Sequence, residues 1–203
     1  MNGRNSMKSK SHYCAEVIES SLYYIKAECW SQRVVPLYGA LVAIDEKEAT
    51  FYGVVYASYA HADEAFRAVN AYQKTEDELR AEQPQIFAFL KTSFQLLILG
   101  SMCDGCLSYS YASEPIHLHS FVRSACKEEY QQFFLEPRYL SLIFSQEQNV
   151  GNVDELLLHM VSNMRKHDVS KTAIEEMVDQ YFILNGSDYS RLRLFSSRLQ
   201  RFV

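Results

Sequence analysis

The sequence predicts an α+β fold: a small antiparallel β-barrel with inserted helices, followed by a helical subdomain. Three observations carry this. The stretch RVVPLYGALVAI, the polar break DEKEA and then TFYGVVYASYAH, from Arg33 to His61, reads as a strand hairpin rich in Val, Ile, Tyr and Phe. Each run holds one internal glycine, Gly39 and Gly53. A glycine within a strand usually marks a bulge, a bend or the close approach of another backbone, and barrels need such bends. Finally, the hydrophobic period changes beyond Ala125 from the short repeat of strands to the longer repeat of helices.

The expected organisation is an N-terminal arm over residues 1–12, a barrel over 13–124 and a helical tail over 125–203. Tyr13 to Ala27 suits two short strands or a bent one. Ala62 to Lys74 lacks a period and is expected to be a loop with a helical turn. Thr75 and Glu78 have the spacing of a capping box, so Thr75 opens a helix. Pro84 starts a second short helix, where its missing N–H is no loss. FQLLILG, Phe94 to Gly100, reads as a buried strand, paired across the Asp104-Gly105 turn with Cys106 to Ala112. Pro115 to Val122 reads as one more extended segment. In the tail, three stripes predict three helices: Val153, Leu156, Leu157, Met160, Val161 and Met164; Ile174, Met177, Val178, Tyr181 and Phe182; and Tyr189, Leu192, Phe195, Leu199 and Phe202. Asn185-Gly186 separates the last two.

Composition narrows the function classes. The chain has 203 residues, 48% of them apolar, enough for a real core. Its net charge of −5 argues against gripping nucleic acid over a broad surface, because such binding rests on phosphate neutralisation. No run of 18 apolar residues occurs and no apolar signal segment follows the basic residues near Met1, so no membrane association and a cytoplasmic location are expected. Five cysteines, an odd number, fit reduced thiols.

Catalytic motifs are missing, and the expectation is a non-enzyme without catalytic or cofactor-binding residues. None of the seven glycines falls in a phosphate-binding GxxxxGK[ST]. Neither GxSxG nor HExxH occurs. Cys103 and Cys106 with His117 and His119 have the donor chemistry of a Cys₂His₂ zinc site, the two histidines falling on one side of the expected strand. A hairpin turn flanked by small thiols accounts for the same residues and is preferred. Asp45, Glu46 and Glu48 could do acid-base work or hold a cation; a solvated turn is the simpler account. Arg191, Arg193, Arg198 and Arg201 could meet phosphate or an acidic partner, or simply ring an amphipathic helix.

At VPLYGALVAI, TFYGVVYASY, QPQIFAFLKTSFQLLILGSMCDGCLSY and PIHLHSFV, the chain resembles the HAS-barrel family, named for HerA and ATP synthase. The positions are Pro36, Gly39, Val42, Tyr52 to Val55, Gln83 to Phe87, Thr92, Phe94, Gly100, Asp104 and Gly105, within roughly Tyr13 to Val122. Cys103 and Cys106 lie outside that pattern. The resemblance implies a closed barrel of the kind found at the entry side of ring ATPases, here without a motor. The expected function is a non-catalytic assembly or adaptor subunit for a HerA-like ATPase in DNA processing, with that ATPase or another protein as partner, and with homo-oligomers and direct nucleic-acid contact left open. A competing reading is a single-stranded nucleic-acid-binding barrel that stacks bases on Tyr38, Phe51, Tyr52, Tyr56 and Tyr59 beside Arg33 and Arg67. A zinc-stabilised module is the third.

Overall fold

Alternation in the first part and helical periodicity in the second settle into a closed barrel with helices packed on its outer face. The computed structural model describes residues 12–31, 34–62 and 71–200. The first strands are β1 (Tyr13–Ser20), β2 (Tyr24–Cys29), β3 (Leu41–Asp45) and β4 (Thr50–Ala62). Two short helices follow, α1 (Glu76–Glu82) and α2 (Gln85–Ala88), and then β5 (Leu90–Cys103), β6 (Cys106–Ser108) and β7 (Phe121–Ser124). Neighbouring strands run in the order β2-β1-β7-β3-β4-β5, every pair antiparallel, and β2 pairs with β5 to close the ring. Closure leaves those six strands without a free edge, and β6 is appended to β5 as a hairpin.

The remaining helices are α3 (Lys127–Phe133), α4 (Tyr139–Ser145), α5 (Glu147–Val150), α6 (Val153–Lys166), α7 (Lys171–Leu184) and α8 (Tyr189–Leu199). The last three are the three expected stripes. The shorter α3 to α5 have no stripe of their own in the sequence, since a helix of one or two turns carries too little period to read.

Two cores result. Val17, Ile25, Val42, Ile44, Val55, Phe94, Leu96, Ile98 and Val122 fill the barrel interior. Leu41, Ala43, Tyr52, Val54, Leu97 and Leu99, on the opposite faces of the same strands, pack on Tyr130, Phe133, Leu157 and Met160 of the helices. This explains why LVAI in β3 is apolar throughout: one face looks into the barrel and the other is roofed by helices.

Local chemistry sets the boundaries. Thr75 and Glu78 form the expected capping box, and Pro84 precedes α2. Asp104 (φ 49°) and Gly105 (φ 80°) make the β5–β6 turn with the positive φ that a tight hairpin requires. Gly53 sits at a register shift between β4 and β5, where a Cβ would stand 2.5 Å from Leu96 Cδ1 and 2.9 Å from the Leu97 carbonyl oxygen. The bulge and the glycine are therefore one feature.

Three expectations need correction. Gly39 is not inside a strand: it lies in the turn before β3 at φ 73°, and its N–H donates to the Val55 carbonyl at 2.8 Å. The strand expected over Cys106 to Ala112 stops at Ser108, because the tyrosines beyond it leave to bind helices. Tyr109 Oη donates to the Phe133 carbonyl at 2.6 Å and Tyr111 Oη to the Leu142 carbonyl at 2.8 Å. The last strand covers Phe121–Ser124 only, since His119 turns the chain at φ 68°. The expected N-terminal arm (apart from His12), the centre of the 62–74 loop, Arg33, Arg67, Arg201 and Phe202 lie outside the described residues.

Candidate functional site

The buried charges come first, because they decide which groups remain for function. Arg123 on β7 is 7% exposed. Its Nε and Nη2 donate to Asp45 at 2.8 and 2.9 Å, and its Nη1 and Nη2 donate to Glu129 on α3, both at 2.7 Å. Asp45 also accepts from Thr50 and Tyr13, and Glu129 accepts from the Tyr52 hydroxyl and the Cys126 amide. Burial pushes the Glu129 carboxyl up, but the Arg123 guanidinium and the Cys126 N–H outweigh it and hold it below the usual carboxylate range. Asp45 is thus a structural anchor between barrel and helices, a role that its place beside a polar turn did not reveal. Glu46 accepts from Ser120 and faces His117, and Glu48 is exposed.

The four zinc candidates are not brought into one ligand set. Cys103 and Cys106 face each other across the β5–β6 hairpin, both exposed. His117 and His119 do not alternate along a strand. Each pairs with its own carboxylate, His117 Nδ1 with Glu46 at 3.3 Å and His119 Nδ1 with Glu16 at 2.5 Å. Among the described residues, no group of three or more His, Cys, Asp and Glu side chains is placed to hold a metal ion.

Two of the four tail arginines hold α8 in place. Arg191 Nε donates to both oxygens of Asp154 at 3.0 Å, and its Nη2 donates to Glu147 at 2.8 Å. Arg198 pairs with Glu155, and Arg193 is exposed. The proposed base-stacking row is dispersed as well. Tyr52 is buried, Phe51 packs on the barrel interior, and Tyr38 lies edge-on against His159 of α6. Of the five, Tyr59 alone stands exposed, on the outward face of β4, with Tyr56 half-buried beside it against the helical core.

That face is wider than the sequence suggested. Gln95 of β5 accepts from Tyr59 Oη through Oε1 at 3.3 Å and donates to Tyr24 Oη through Nε2 at 3.4 Å. Burial, and then the neighbouring Tyr24, Tyr59, Tyr23 and Glu19, push the Tyr56 hydroxyl up to about 12. Leu22 and Tyr23 stand exposed beside it, with Tyr23 tilted against Tyr111 at 5.9 Å between ring centres. On the β1 side, Trp30 is 45% exposed; it meets Phe121 edge-on at 5.0 Å and donates its indole N–H to Glu16 at 3.4 Å. Ile18 and Leu118 are exposed as well, on segments linked by the His119 N–H bond to the Val17 carbonyl. Tyr23 and Trp30 flank β2, which with β1 carries Glu16, Glu19 and Glu28, and Glu16 sits directly opposite Glu28. Period-2 alternation could have found this face: Tyr24, Lys26 and Glu28 point away from the interior positions Ile25 and Ala27.

One open groove of about 780 Å³ lies where β6 meets the α3–α4 corner, lined by Leu107, Tyr109, Leu135, Arg138 and Gln180 among others. No helix among the described residues is long and apolar enough to cross a membrane. No protein-family model matches the chain, and no curated protein matches it.

Proposed function

We infer that this protein is a non-catalytic barrel subunit that works by docking a protein partner, as an assembly or adaptor factor for a HerA-like ring ATPase in DNA processing. One observation carries the docking part: Ile18 on β1, Tyr23 and Trp30 at the two ends of β2 and Leu118 before β7 are all exposed, among carboxylates of β1 and β2. Exposed aromatic residues on a rigid sheet are the usual anchors of protein interfaces. A barrel filled by its own side chains leaves its outer surface as the place for such an anchor. The choice of an ATPase as partner rests on the resemblance to HAS barrels.

The nucleic-acid reading is less favoured, because Glu16, Glu19 and Glu28 would repel phosphates from this same face. Co-expression with the HerA-like ATPase of the same genome, followed by affinity capture and gel filtration, tests the proposal. Capture of the ATPase, weakened at least tenfold by Trp30→Glu or Tyr23→Glu, is expected. A protein that captures no ATPase and runs as a monomer indifferent to it would refute the proposal. A salt-dependent shift of a single-stranded oligonucleotide would favour the other reading.

A further inference from the structure

The β5–β6 hairpin holds the one pair of cysteines that face each other in register among the described residues. Cys103 and Cys106 are directly opposed, separated by the two turn residues Asp104 and Gly105. Both are exposed and both are free thiols. Directly opposed residues of an antiparallel pair project from the same face of the sheet, with Cα atoms about 4.5–5.5 Å apart, inside the roughly 4.4–6.8 Å span of disulfides. Their Cβ atoms, about 4.5–5.5 Å apart in such pairs, must close by up to roughly 1 Å to reach disulfide spacing. The hairpin extends from the closed barrel with a solvent-facing tip, where such a shift meets little packing.

The other cysteines are placed differently. Cys14 is buried and donates its S–H to the Val122 carbonyl at 3.5 Å. Burial pushes the Cys29 thiol up to about 12, and it raises the Cys126 thiol as well. The thiolate is the reactive form, so exposure and opposition single out the hairpin pair.

We propose that Cys103 and Cys106 form a reversible redox site, a hairpin-tip dithiol that peroxides convert to an intramolecular disulfide. One thiolate attacks a peroxide oxygen; the O–O bond breaks, one water leaves and a sulfenic acid remains. The second thiolate attacks that sulfur, forms the S–S bond and expels hydroxide, which takes up a proton as the second water. In total, two thiols lose two electrons and two protons to one hydrogen peroxide. A dithiol reductant reverses the step by exchange. The closed loop is only four residues long and both sulfurs are exposed, so the bond contributes little stability and reduces readily. Leu107, within β6, lines the groove and packs against the helical core, so oxidation stiffens one groove wall.

Treating the full chain with a small excess of hydrogen peroxide, alkylating free thiols and mapping peptides by mass spectrometry tests this. The expected product has lost two hydrogens, carries a Cys103–Cys106 link, keeps the other three cysteines alkylated and returns to the dithiol with dithiothreitol. Cys103→Ser and Cys106→Ser, both at an exposed tip, should each abolish the loss of two hydrogens while leaving the circular dichroism spectrum unchanged. Persistent free thiols at both positions, a link to another cysteine or another chain, direct passage to sulfinic acid, or closure in either variant would each overturn the proposal.

Discussion

Gly39 in the turn before β3 lies against the backbone of Met160 on α6: a Cβ at Gly39 would stand 2.8 Å from the Met160 amide nitrogen and 2.9 Å from the His159 carbonyl carbon. The glycine therefore lets barrel and helices meet. Its φ of 73° is also one that side chains adopt at a cost. Gly39→Ala is expected to lower stability by roughly 2–5 kcal/mol, combining left-handed strain with overpacking against backbone. Urea unfolding checks this; a loss below about 1 kcal/mol would mean that the contact relaxes freely.

Arg123 binds two carboxylates that otherwise face each other in a largely buried site. Arg123→Ala strands both, and the expected loss is about 3–5 kcal/mol, as for other broken buried pairs. Because Asp45 belongs to the barrel and Glu129 to α3, the loss should appear as a lower denaturation midpoint with helices and barrel unfolding together. Separate transitions by far-UV circular dichroism and Trp30 fluorescence would contradict this.

The same network sets an acid limit. Glu129 is held below its ordinary pKa, so its contribution is complete above the unfolded value of about 4.3 and is lost as pH falls through the folded value. Between pH 7 and pH 3, the wild type should lose stability mainly below about pH 4.3, and Glu129→Gln should show a flatter decline there. Parallel curves for the two proteins would exclude Glu129 as a source of that sensitivity.

Features fixed by a few neighbouring residues are legible in the sequence. The Thr75–Glu78 capping box, the Asp104-Gly105 turn and the stripes of α6, α7 and α8 all follow from local spacing. Closure, which the resemblance implies, was not visible in local spacing, since Tyr24 pairs with Leu97 and nothing in either segment specifies the other. Nor was the early end of β6, which depends on Tyr109 and Tyr111 finding carbonyls on α3 and α4. Gly39 shows both sides: its sequence context marked a special backbone site, while its neighbour on α6 emerged only in three dimensions. The spacing of Cys103 and Cys106 marks the pair as zinc donors, and only the hairpin register shows them directly opposed. The face built on Tyr23, Tyr24 and Trp30 is hard to see in the sequence, because the first strands show only short apolar clusters.

Two buried tyrosines make an internal control for the value of a hydroxyl. Tyr130 accepts the Leu41 N–H at 2.7 Å while its ring stacks on His167 at 3.8 Å. Tyr130→Phe keeps the ring and orphans a fully buried amide, an expected loss of about 1–3 kcal/mol. Tyr139 is also fully buried, yet its hydroxyl has no hydrogen-bond partner among the described residues. Removing an unpaired buried hydroxyl relieves a desolvation cost, so Tyr139→Phe should be neutral or stabilising. Urea midpoints of the two variants, measured side by side, should therefore move in different directions or by clearly different amounts. Equal losses would mean that the Tyr139 hydroxyl has a partner in solution.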